Sequence, residues 1–169
     1  MSERPIIITG FMASGKTTVV AALAQRLGCG MIDLDELIRK REGRTAQEII
    51  DEDGEERFRE IESEALRHAL EAKRARIIAL GGGAWTIPSN RARILEHEGF
   101  TVWLDAPFEL CWRRIESEGS ARPFARDFND TRKLYDRRLA VYEQAEFHIK
   151  VEGKEPEMIA KEFLEALRQ

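Results

Sequence analysis

Eight residues, Gly10-Phe11-Met12-Ala13-Ser14-Gly15-Lys16-Thr17, constrain this chain more than any other stretch, because they match GxxxxGK[ST] in the setting where that pattern carries a mechanism. Ile6 to Thr9 form a β-branched run ahead of them, and Val19, Val20, Ala22, Leu23 and Leu27 follow at helical spacing until Gly28. Strand, glycine loop and helix in that order make a cradle whose backbone N–H groups and helix N-terminus face an anion. The pattern assigns nucleotide phosphates to Gly10, Ala13, Ser14, Gly15 and Thr18, with Lys16 reaching the β- and γ-phosphates and the Thr17 hydroxyl serving Mg²⁺.

The alternation continues along the chain. Met31-Ile32-Asp33-Leu34, Ile77-Ile78-Ala79-Leu80, Phe100 to Leu104 and Phe147 to Val151 read as further strands, and Glu55 to Ala72 carries Phe58, Ile61, Ala65, Leu66, Ala69 and Leu70 on one helical face. Five strands with intervening helices predict an α/β fold, a parallel sheet covered on both faces. At 169 residues one domain spanning 1–169 is expected. Pro123 and its polar neighbours predict a mobile loop from roughly Glu118 to Asp130.

Composition narrows the class of function. A net charge of −4 argues against a constitutive nucleic-acid binder, which needs a basic footprint. The stretch from Arg113 to Arg138 nevertheless holds eight basic residues against five acids, a local excess suited to a small anion such as ATP. No window is apolar enough to span a membrane and no leader is visible, so a cytoplasmic protein is expected. Cys29 and Cys111 stand far apart and read as buried thiols, and His68, His97 and His148 lack ligand spacing.

A phosphate loop alone does not say where the phosphate goes. Asp33 and Asp35 flank Leu34 at the end of the second strand, where alternation would turn both carboxylates to one side if the strand continued; the plainer alternative is that they cap the next helix. Gly81-Gly82-Gly83 follows the third strand and lets a ligand approach the backbone, with Trp85 just beyond as a candidate pocket wall. Arg59 and Arg138, each ordinary taken singly, would together grip a carboxylate. On these residues alone, another small phosphate-loop kinase acting on gluconate or a nucleoside monophosphate, or a non-catalytic nucleotide switch, stays open.

Taken in order, Gly10 to Thr17, the Asp33/Asp35 pair, Phe58-Arg59-Glu60-Ile61-Glu62, Gly81 to Gly83, Arg122-Pro123 and Arg138 to Tyr142 resemble the shikimate kinase family across nearly the whole chain. The resemblance implies a P-loop NTPase fold of the nucleoside monophosphate kinase type with a lid, and transfer of the ATP γ-phosphate to the 3-hydroxyl of shikimate. It also implies roles for single residues. Asp35, Arg59, Gly81 to Gly83 and Arg138 would hold shikimate, and Asp33 would act on Mg²⁺ through water. Arg122 would bind the transferring phosphoryl group, while Arg114 and Pro156 would flank the adenine. Lys16, Asp35 and Arg122 would be the catalytic set, in an enzyme expected to be monomeric. The chain departs from the usual family pattern at Ala13, where glycine is common, at Phe124-Ala125, where two leucines are frequent, and at Leu139-Ala140, where a proline-containing pair is usual.

Overall fold

A computed structural model describes residues 4–118, 124–125 and 127–168. Its five strands are β1 (Ile6–Thr9), β2 (Met31–Asp33), β3 (Ile77–Ala79), β4 (Phe100–Asp105) and β5 (Phe147–Lys150). They form one sheet in the order β2-β3-β1-β4-β5, every neighbouring pair parallel. The central strand β1 is buried at all four positions, as its unbroken Ile-Ile-Ile-Thr run requires of a strand covered on both faces. Edge strand β5 buries only Ile149 well and leaves His148 and Lys150 exposed.

Among the described residues eight α-helices connect and cover the sheet: α1 (Lys16–Leu27), α2 (Leu34–Glu42), α3 (Ala46–Asp53), α4 (Glu55–Ala72), α5 (Pro88–Glu96), α6 (Phe108–Glu118), α7 (Phe128–Tyr142) and α8 (Pro156–Ala166). Helix α1 buries Val19, Val20 and Leu23, and Gly28 ends it in the left-handed conformation at φ 59°. The segment between β2 and α4 resolves into two short helices that apolar spacing alone does not separate. Gly43, at φ 67°, closes α2, and Thr45 with Glu48 forms a capping box that starts α3.

Strand β2 stops earlier than alternation suggests. Asp33 is the N-cap of α2, its carboxylate accepting from the backbone N–H groups of Asp35 and Glu36, so Asp35 lies in a helical first turn rather than on a strand. Capping wins here because it satisfies two amides that would otherwise lack a partner. The carboxyl ends of β1, β2 and β3 then open on one edge of the sheet, where the phosphate loop, Asp33 and the glycine triplet lie side by side, the position at which ligands bind in parallel α/β sheets.

Candidate active site

The loop between β1 and α1 is shaped by backbone conformation and by two cations. Ala13 sits at φ 60°, the left-handed region that the usual glycine would occupy without strain, at a cost of about 1 kcal/mol. Arg114, from α6, donates from Nη1 to the Ala13 carbonyl at 3.0 Å and ties that strained peptide to the neighbouring helix. Lys16 Nζ donates to the carbonyls of Gly10 and Phe11 at 2.8 and 2.9 Å, closing the loop into a ring. The N-cap of α1 is Gly15, which has no side-chain cap, so the first-turn amides are left to a ligand. Ser14 Oγ is buried in the same loop with no hydrogen-bond partner among the described residues, as befits a cradle for an anion.

Beside this loop, Thr17 Oγ1 donates to Asp33 Oδ2 at 2.8 Å. Asp33 therefore does two things with two oxygens, capping α2 with Oδ1 and meeting the phosphate loop with Oδ2. A hydroxyl and a carboxylate are the hard oxygen donors that Mg²⁺ takes when phosphates and water complete its shell.

Around the glycine triplet the charges alternate. Arg59 Nη1 donates to Glu62 Oε1 at 2.6 Å one turn along α4, and the Glu62 side chain is only 1% exposed. Gly81 lies against both Glu62 and Asp35: a Cβ added there would stand 2.8 Å from Asp35 Oδ1 and 3.1 Å from Glu62 Oε2. A Cβ on Gly83 would overlap the Arg59 guanidinium. The glycine triplet is thus required by close packing of charged side chains on the backbone. Arg138 is 7% exposed, on the buried face of α7. Phe124, one of the residues by which the chain departs from the family pattern, lays its ring beneath both guanidinium groups, 5.2 Å from Arg59 and 5.8 Å from Arg138.

These parts line a single cleft of about 1040 Å³. Ala13, Ser14, Gly15, Lys16, Thr17 and Thr18 line it together with Asp33, Asp35, Arg59, Gly81 to Gly83, Arg114, Arg138 and Pro156. Gly10 contributes its carbonyl to Lys16 but is not on the cleft wall. Arg122 lies outside the described residues, as do 119–121, 123 and 126 of the expected mobile loop. Trp85 does not line the cleft: it is buried at 5% exposure, its indole N–H donating to the Val141 carbonyl at 2.8 Å. A buried indole takes a carbonyl partner where it can reach one, and the end of α7 supplies it. Cys111 is buried as expected, but Cys29, just past the end of α1, is only half-buried.

Glu62 is the functional candidate that sequence reading left without a role. The signal was available, since it is an acid on the apolar face of α4 between Ile61 and Ala65. Burial pushes its carboxyl up to about 6, outweighing the opposing pull of Arg59. A carboxyl held more tightly protonated in the folded state makes stability fall as pH rises from its unfolded value near 4.5 through 6. At neutral pH the contribution is a loss of about 2 kcal/mol relative to acid conditions. Urea unfolding of the unmodified protein and of Glu62→Gln should show this directly: between pH 4.5 and 7 the difference in their stabilities should move by about 2 kcal/mol in favour of the variant. Parallel pH profiles would show that Glu62 does not titrate abnormally.

The same sequence matches known proteins over almost its full length. The family model for shikimate kinase matches residues 12–168. The shikimate kinase of Persephonella marina is 33% identical over 165 residues, covering 98% of this chain and 99% of that protein. That of Nostoc punctiforme is 38% identical over 166 residues, covering 96% and 90%. Among solved structures, shikimate kinase from Acinetobacter baumannii in complex with shikimate superposes with a TM-score of 0.89 at 30% identity, over 98% of this chain and 93% of that one. A phosphate loop, an acid-and-arginine pocket and full-length likeness at this level lead to one assignment: the chain belongs to the shikimate kinase family.

Proposed function

We propose that this protein transfers the γ-phosphate of ATP to the 3-hydroxyl of shikimate, giving shikimate 3-phosphate and ADP. The observation that carries the reading is that one cleft brings together two groups, a phosphate loop with its Thr17–Asp33 pair, and two arginines and two carboxylates packed on a glycine triplet. The first suits a nucleotide. The second suits a small hydroxylated acid, its carboxylate on Arg59 and Arg138 and its hydroxyls toward Asp35.

In this reading the acceptor oxygen attacks the γ-phosphorus as the bond from that phosphorus to the β,γ-bridging oxygen breaks. Asp35 orients the hydroxyl and takes its proton, and Lys16 and the α1 amides hold the charge that gathers on the phosphoryl oxygens. Arg122 is assigned to the same charge by family resemblance. Thr17 and Asp33 would hold Mg²⁺, which when bound neutralises phosphate charge. Arg114 and Pro156, which line the same cleft, would flank the adenine.

We place the activity in a cytoplasmic monomer acting on small molecules. The net charge of −4 supports small-molecule rather than nucleic-acid substrates, and among the described residues no helix is long and apolar enough to cross a membrane.

The deciding experiment is ADP release coupled to NADH oxidation, with shikimate, gluconate and a nucleoside monophosphate as separate acceptors. Shikimate alone should drive turnover, and only with Mg²⁺ present. Turnover with gluconate or the nucleotide at a higher kcat/KM than with shikimate would overturn the assignment.

A further inference from the structure

Tyr142 belongs to no charged or phosphate-binding group, yet it touches both halves of the acceptor site. Its ring is fully buried and stacks on Trp103 of β4, centroids 6.1 Å apart at 25°. Its hydroxyl donates to the Gly82 carbonyl at 2.5 Å, and Gly82 packs against the guanidinium of Arg138, which lies one helical turn back from Tyr142 on α7. Gly82 is in turn confined between the two sites: a Cβ there would stand 3.2 Å from Arg138 Nη1 and 3.4 Å from the Met12 amide of the phosphate loop. Burial keeps the phenol protonated, raising it to about 12, so it donates throughout the neutral range.

The same helix end is tied a second time. Val141 accepts from the Trp85 indole, and Trp85 lies in the 3₁₀ turn Ala84–Thr86 that directly follows the glycine triplet. The C-terminus of α7 therefore sets where the triplet lies relative to Arg138. Because the peptide is planar and trans, holding the Gly82 carbonyl also fixes the direction of the Gly83 N–H on its opposite side.

We propose that Tyr142 is a positioning residue for the acceptor, locking Arg138 and the Gly82–Gly83 peptide into one rigid surface so that the two present their donors together. The inference rests on the acceptor assignment above and adds the device that makes that part of the cleft rigid. A tyrosine serving the core alone would keep its ring stacking when the hydroxyl is removed and would leave substrate binding as it was.

Tyr142→Phe separates these. Assayed well below its melting temperature, the variant should show a KM for shikimate raised about fivefold or more, with the KM for ATP unchanged. Because Tyr142 works through Arg138, the double variant with Arg138→Lys should lose less than the product of the two single effects. If Tyr142→Phe cannot be recovered folded, Trp85→Phe cuts the second tie while keeping a ring, and should raise the shikimate KM at least threefold with the ATP KM unchanged. A lowered melting temperature with both Michaelis constants unchanged would overturn the positioning role. No turnover of shikimate by the unmodified protein would instead defeat the acceptor assignment on which the role rests, so the two failures are told apart by the wild-type assay.

Discussion

Lys16→Ala should lower kcat by about a thousandfold or more while leaving the far-ultraviolet circular dichroism spectrum unchanged. Preorganised positive charge at the β- and γ-phosphates acts most strongly on the transition state, so its loss appears in kcat rather than only in binding. The structure adds a second consequence. Lys16 also closes the phosphate loop through the carbonyls of Gly10 and Phe11, and its removal frees a loop that already carries a strained Ala13. ATP affinity should therefore weaken as well, and Lys16→Arg should fail to restore turnover, since a planar fork cannot reproduce two hydrogen bonds to adjacent carbonyls from a single ammonium nitrogen. Near-normal kcat in Lys16→Ala would remove the phosphate-loop assignment.

The acceptor site yields the second large effect. Arg59→Lys keeps the charge and loses the fork, so the KM for shikimate should rise about tenfold, a loss of roughly 1.4 kcal/mol, while the KM for ATP stays nearly constant. Arg138→Lys should behave alike. The two arginines share Phe124 beneath their guanidinium groups and both act on Glu62, so the double variant should show coupling beyond simple addition. Steady-state kinetics on the three variants, varying one substrate at a time, makes the measurement. Unchanged shikimate KM in both single variants would leave the clamp without support.

The fold was legible in the sequence to a large degree, because each strong element announces itself locally. The Ile6–Thr9 run, the glycine loop, the helical spacing of α1 and the apolar face of α4 depend on short-range pattern, and five such strands with helices between them admit few topologies other than a parallel sheet. Helices α2 and α3 were not separated, since one capping box and one left-handed glycine divide a segment with little apolar periodicity. Asp33 caps α2 with one carboxylate oxygen and accepts from Thr17 of the phosphate loop with the other, so the capping reading leaves its second oxygen facing the loop.

By itself the sequence determined the parallel α/β architecture, the phosphate loop and its place at the head of a helix, and the family. Those follow from contiguous residues, where spacing along the chain dictates spacing in space. Only the tertiary structure decided which side chains meet. Ala13 takes a strained positive φ held by an arginine 101 residues away, and Glu62, buried beside Arg59, is pushed up in pKa by its surroundings. Trp85 turns from the cleft to the end of α7, and Tyr142 reaches Gly82 across 60 residues of chain. Desolvation, close packing on glycine and hydrogen bonds between distant segments arise from how the elements are stacked, and nothing in local sequence encodes the distances on which they depend.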